Sequence, residues 1–340
     1  MRPVDAVPAS IVALLAGYGL NATRARFVAK QDCEVWRLTA TSDTAERSAG
    51  AHDLALRIYP ARYAQRATID SEVAWLQTLA EQGLNTPAPL ADRQGLVVQE
   101  WLAEAHPTPR LAVLLRWVGG RHLDRALRSI HLHRVGALCA QMHQASEALA
   151  TTGRITSIRK AQLPDLAAWA SGARLKSQRV SPHFTQVDHE RTARTAQALL
   201  AAIDRLPQGP ASHGFIHGDL HLWNLLFAGD RAGAIDFTDC GWGPYALDLA
   251  AALQYVAHPL HGFHDHRSRL AGMRSSLLDG YASQRALPPR IDEQLDTFIL
   301  ARMLYASEWV LDDWAHPAER AWGPQFLRDA QQVFERFLAR

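Results

Sequence analysis

The stretch that decides the fold runs from Phe215 to Asp236 and reads FIHGDLHLWNLLFAGDRAGAID. An apolar lead-in, Phe215 and Ile216, delivers His217, Gly218 and Asp219; Asn224 follows Asp219 by five positions, and Asp236 follows Asn224 by twelve. These residue types suit phosphoryl transfer. A hydroxyl attacking a γ-phosphate needs an acceptor for its proton, and a single carboxylate, Asp219, can orient the nucleophile and take that proton. Magnesium held against the phosphates needs hard oxygen ligands, which the Asn224 amide and the Asp236 carboxylate provide. Leu225 to Ala228 and Ala232 to Ile235 read as short strands about the turn Gly229-Asp230-Arg231, a hairpin expected to fold Asp236 back beside Asn224. Without that joint spacing, Asp219 and Asn224 would be ordinary turn and capping residues.

HGDLHLWN followed by IDF resembles the catalytic and metal-binding segments of the aminoglycoside phosphotransferase and choline kinase superfamily, a branch of the protein-kinase-like fold that includes homoserine kinases. The resemblance implies an α+β, bilobal architecture. Residues 1–118 would form a small nucleotide-binding lobe with an antiparallel sheet and one helix, and residues 119–340 a larger, mostly helical lobe for catalysis and substrate binding. It implies ATP and Mg2+ as cofactors, Asp219 as the catalytic carboxylate, and Asn224 and Asp236 as metal ligands. His221 occupies the place where protein kinases put a γ-phosphate-binding lysine, which makes it a second catalytic candidate; a loop-packing role is the alternative.

Upstream of this segment, Pro8 to Leu20 reads as a helix and Ala25–Ala29, Glu34–Thr41 and Leu54–Tyr59 as strands of an antiparallel meander. In the kinase-like fold the first turn of the meander covers the phosphates and is usually rich in glycine, but here it is Lys30-Gln31-Asp32-Cys33. The third strand, LALRIYP, carries Arg57 where a lysine is usual, and a guanidinium is a permanent cation with a phosphate-matching fork. Ile69 to Gln82 is an amphipathic helix with Gly83 at its end, and the resemblance implies that its Glu72 pairs with Arg57. Read as residues alone, the alternative for Arg57 is a solvated strand residue, and Glu72 is equally a surface residue favoured by the helix dipole. Gly95–Leu102 and Leu111–Val118 are further strands around AEAHPTP, and the hinge of a two-lobed kinase would fall at Arg116–Gly120, with backbone groups of Arg116, Trp117 and Val118 on the adenine edge.

Downstream, His131–Leu149 is helical with His143 at a core or groove position, and Thr151–Pro207 is a helical, basic-leaning insertion. Asp248 opens a helix after the Gly241-Trp242-Gly243-Pro244 turn, and in relatives a carboxylate there holds the catalytic loop. His258 to His266 holds four histidines with no compact metal-ligand spacing and reads as a surface loop. Leu295, Phe298, Ile299, Tyr305 and Trp309 form a core stripe; Arg302 lies within it, and Glu308, Asp312 and Asp313 gather beyond it within reach of a substrate.

Composition narrows the partners. A formal net charge of +2 over 340 residues gives no support for nucleic acid or an anionic membrane surface. Three widely spaced cysteines form neither a disulfide framework nor a zinc motif, and with no signal core or long apolar run the expectation is a cytoplasmic chain without a membrane partner. Gly218 replaces the arginine that clamps a phosphorylated activation loop in regulated protein kinases, and the span from Asp236 to Asp248 is too short for a peptide-binding segment. The reading is therefore an ATP- and magnesium-dependent phosphotransferase moving the γ-phosphate to a hydroxyl of a small molecule. A stress-response-type protein Ser/Thr kinase and a nucleotide-binding pseudokinase module are the alternatives. Acceptor identity, ATP against GTP and oligomeric state are not written in the sequence.

Overall fold

The computed structural model describes residues 7–30, 33–42, 51–60, 65–103, 106–123, 126–150, 152–155, 157, 161, 163–174, 184–257, 266–312 and 317–339. The expected phosphate-covering turn (Gln31 and Asp32), most of the tract 41–52, much of the basic insertion and most of the histidine tract lie outside these residues. The chain folds into two compact units. One draws on residues 1–121, 145–159 and 233–238, the other on residues 122–144, 160–232 and 239–340.

The first unit is a five-stranded antiparallel sheet with strand order β1-β2-β3-β5-β4, made of β1 (Leu20–Lys30), β2 (Glu34–Ser42), β3 (His52–Ile58), β4 (Val98–Ala103) and β5 (His106–Arg116). Helix α1 (Ala9–Tyr18) ends one residue before β1, at Gly19 with φ 70°, a left-handed cap that glycine adopts at little cost. Strand alternation sends Leu54, Leu56 and Ile58 to the face packed by Ile11 and Leu15 of α1, together with Leu38, Ala112 and Leu114. Arg57 therefore points to the opposite face. The AEAHPTP segment is not the turn its prolines suggest, because β5 already begins at His106. Pro107 and Pro109 fall between the His106 and Arg110 pairs with β4, where the register shifts, and before pairing with β3 begins at Ala112; an irregular stretch open on one side tolerates missing N–H donors. Helix α2 (Arg66–Glu81) buries Ile69, Glu72, Val73, Trp75, Leu76 and Leu79.

The second unit contains most of α3 (Ser129–Ala150), then α4 (Leu166–Ala170), α5 (Gln186–Asp204), β6 (His213–Ile216), β7 (Leu225–Ala228), β8 (Arg231–Ala234, whose last residues belong to the first unit), β9 (Gly241–Pro244), α6 (Tyr245–Ala257), α7 (His266–Ala282), α8 (Ile291–Asp312) and α9 (Pro317–Leu338). One core joins Leu166 and Trp169 of α4, Leu199 of α5, Leu304 of α8, and Leu327 and Phe334 of α9. Helix α6 begins three residues earlier than its sequence suggests, so Asp248 stands within its first turn and not at its start. Trp309, expected in the core stripe, is 41% exposed and stacks on Trp322 at 5.9 Å between ring centroids. Among the described residues no helix is long and apolar enough to cross a membrane.

Candidate functional site

In the first unit the chain gathers a charged cluster around Arg57. The guanidinium is 5% exposed; Nη1 donates to Glu72 Oε1 at 2.5 Å and Nη2 to Asp236 Oδ1 at 2.7 Å, with Thr238 Oγ1 as a further partner. Tyr59 donates its hydroxyl to the same Glu72 oxygen at 3.2 Å. Neither Arg57 nor Glu72 is a solvated surface residue. Burying a cation is tolerable here because two carboxylates compensate it. Asp236 has φ 63°, a left-handed conformation that aspartate adopts more readily than most residues. Two contacts hold it there: Thr238 donates to Oδ1 at 2.6 Å, and the Phe237 ring meets Trp75 of α2 edge-on at 5.3 Å. Its side chain is 53% exposed.

Arg116, Trp117 and Val118 leave β5 in the same unit. The Arg116 N–H donates to Ala88 O at 2.8 Å and the Trp117 N–H to Asp53 O at 3.0 Å, so those two donors are used within the chain. Buried Val118 has no such bond among the described residues.

In the second unit the loop after β6 is built around Asp248. This fully buried carboxylate accepts the His217 N–H at 2.9 Å, the Gly218 N–H at 2.8 Å and His143 Nε2 at 3.2 Å. Burial pushes its pKa up, but the His143 hydrogen bond and the charges of His143 and His217 outweigh burial and hold it below the ordinary carboxylate value. His143 passes its other ring nitrogen to Tyr281 Oη at 3.0 Å. Gly218 has φ 82°, and a Cβ there would lie 2.4 Å from the Asp239 carbonyl oxygen, so the motif position next to His217 accepts only glycine.

Asp219 leaves this turn with its carboxylate between two sets of donors. Oδ1 accepts Arg302 Nη2 at 2.5 Å; Oδ2 lies 3.3 Å from His221 Nε2 and 3.5 Å from Asn224 Nδ2. Burial raises its pKa, yet the Arg302 guanidinium and then His221 carry it far below the ordinary range, so it is an anion throughout the physiological window. Asn224 ends a turn of 3-10 helix and donates Nδ2 to the Asp219 carbonyl at 2.9 Å. Its Oδ1 accepts no hydrogen bond from the described residues, and an amide oxygen is the ligand type a hard cation requires.

The structure thus places Asp219, His221 and Asn224 together in one unit, and Arg57, Glu72 and Asp236 together in the other. Among the described residues no group of three or more His, Cys, Asp and Glu side chains forms a metal-binding cluster. The acidic group on α8 is already engaged. Glu308 accepts Trp169 Nε1 at 2.6 Å, Asp312 accepts Arg174 Nη2 at 2.6 Å, and Asp313 lies outside the described residues. Thr238 and Gln254 carry no sequence signal; only the fold brings them to Arg57 and Arg302. Arg302 was visible as a cation in an apolar stripe, without its partner.

Residues 34–293 match the model of the phosphotransferase enzyme family, and the chain belongs to that family. A homoserine kinase of Rhodopseudomonas palustris is 28% identical over 278 residues, 78% of this chain and 74% of that protein. An amicoumacin kinase solved with AMP-PNP and Ca2+ superposes with a TM-score of 0.74 at 18% identity, covering 96% of this chain and 94% of its own. A microcompartment-associated aminopropanol kinase does so at 0.71 and 22%, covering 97% of each chain. The fold is protein-kinase-like, and the chain is a phosphotransferase by family.

Proposed function

We propose that the protein transfers the γ-phosphate of ATP, with Mg2+, to a hydroxyl of a small molecule. The observation that carries this reading is the Asp219 carboxylate, ionised, partly exposed and fixed by a loop that Asp248 pins through two backbone N–H bonds. In the reaction the bond from the γ-phosphorus to its bridging oxygen breaks, the acceptor oxygen bonds to phosphorus, and the hydroxyl proton passes to Asp219. His221 donates to a γ-phosphate oxygen. Asn224 and Asp236 are the proposed metal ligands, through the unused amide oxygen and the half-exposed carboxylate. When bound, magnesium neutralises phosphate charge. Arg57, oriented by Glu72, serves the nucleotide phosphates, and the Val118 backbone N–H is the free donor of the span from Arg116 to Val118 for the adenine edge. Residues 1–118 are the proposed nucleotide lobe and 119–340 the catalytic and acceptor lobe.

The first acceptors to try follow from the family: relatives are named for homoserine, amicoumacin and aminopropanol. A nucleotide-consumption screen over such alcohols, with amino acids, amino alcohols, sugars and aminoglycosides as separate groups, tests the reading. Turnover that depends on one small hydroxyl compound and on magnesium is expected. Phosphate transfer to a generic protein substrate, or nucleotide binding with no turnover on any alcohol, overturns it.

A further inference from the structure

The donors around Asp219 are sorted by oxygen. Oδ2 meets His221 and Asn224, the residues assigned above to phosphate and metal, whereas Oδ1 meets Arg302 from α8. Arg302 is unusually well held. Its Nε donates to Gln254 Oε1 of α6 at 3.0 Å, the guanidinium carbon lies 5.0 Å from the Tyr305 ring centroid, and the side chain is 4% exposed. Nη1 makes no hydrogen bond to any described residue. A guanidinium has five donors in one plane, so this one is clamped at Nε and bound once at Nη2, with donors left over beside the carboxylate that the acceptor hydroxyl must reach. Glu308 and Asp312, the acids of α8 that follow Arg302, do not compete for it, because they are held by Trp169 and Arg174.

Resting on the phosphotransferase reading, we infer that Arg302 binds a carboxylate of the acceptor through its Nη donors, which makes the acceptor a hydroxylated carboxylate, such as a hydroxy amino acid, and Arg302 its specificity-determining residue. A planar fork matches a carboxylate in two parallel hydrogen bonds. A carboxylate arriving there also draws the guanidinium from Asp219 Oδ1 and opens that oxygen to the hydroxyl. An amino alcohol without the carboxylate gains neither effect.

The test uses the full chain with Mg2+ and a non-hydrolysable nucleotide in a calorimeter, with three probes: L-homoserine, 2-aminobutyrate, which lacks the hydroxyl, and 3-aminopropan-1-ol, which lacks the carboxylate. The two carboxylates are expected to bind at least about tenfold more tightly than the amino alcohol, the discrimination of a charge-assisted pair. Arg302→Gln should erase that difference while changing nucleotide affinity little. Arg302→Lys, which keeps the charge and guards against a folding defect, should retain part of it. Equal binding of all three probes, binding of neither carboxylate, or an unchanged preference in both variants overturns the inference. So does a loss of nucleotide affinity in Arg302→Gln with the preference intact, which would assign the guanidinium to the γ-phosphate. With ATP in place of the analogue, Arg302-dependent carboxylate binding without phosphate transfer to any alcohol of the screen would leave the carboxylate site standing and remove the phosphotransferase reading. Transfer to 3-aminopropan-1-ol, with homoserine not favoured, would do the reverse.

Discussion

Asp219 is held by charge on one oxygen and by neutral or titratable donors on the other, and this asymmetry decides which substitution is informative. Replacing it by alanine strands the buried Arg302 guanidinium without its carboxylate, a change that costs stability as well as chemistry. Asp219→Asn keeps the volume and a carbonyl oxygen for Arg302, and removes the capacity to take a proton. Turnover should fall by about two to four orders of magnitude, the usual worth of a positioned base, with Mg-nucleotide affinity within a few-fold of the parent. Single-turnover kinetics beside calorimetry separate the two effects, and undiminished turnover would strip Asp219 of its role. The sequence announces this residue because its partners His217, His221 and Asn224 all lie within five positions of it. Arg302 stands 83 positions away, and helical periodicity reports only that its stripe is buried, not which carboxylate it meets.

At the scale of elements, the loop after β6 owes its shape to α6. Asp248 offers one carboxylate to two consecutive backbone N–H groups and to His143 of α3, so a single side chain ties the motif loop to two helices. Asp248→Asn supplies only one acceptor oxygen and turns an NH2 group toward a donor. Leaving buried donors unpaired costs about 1–3 kcal/mol. The variant should melt several degrees lower and turn over more slowly, with nucleotide affinity less affected. The pH dependence has a definite sign. A carboxylate whose folded pKa lies below its unfolded value stabilises fully above that unfolded value, about 4, and loses its contribution as the pH falls through the folded one. Acid melting curves of the parent should therefore lose a component below about pH 4 that Asp248→Asn lacks; parallel curves would refute the assignment. Strands and helices at this scale were legible where periodicity was strong, as in β3 and α2. The order β3-β5-β4 was not, because which strands pair is a long-range choice, and neither was the early start of β5, where proline signals a turn unless one strand edge is open.

For the whole molecule the strongest expectation concerns linkage between metal, nucleotide and stability. A ligand that binds only the folded chain stabilises it by RT ln(1 + [L]/Kd), about 2.7 kcal/mol at a hundred times Kd. The net charge of +2 is too small to attract a nucleotide by itself, so most of the gain must come from local groups, Arg57 among them. On the proposed assignment, Asp236 would work against an unmetallated nucleotide, since its half-exposed carboxylate repels phosphate, and for a metallated one by supplying a hard ligand. The thermal shift given by an ATP analogue should therefore be large with Mg2+ and small with a chelator. In Asp236→Ala the two shifts should converge: the metal-dependent part disappears and the repulsion goes with it, while Arg57 keeps Glu72 as its buried counter-ion. Differential scanning fluorimetry of both proteins, with and without metal, reads this directly. A parent whose shift ignores the chelator, or an Asp236→Ala variant whose shift still depends on magnesium, would remove Asp236 from the metal and leave its left-handed backbone to be explained by the contacts of Thr238 and Phe237 alone.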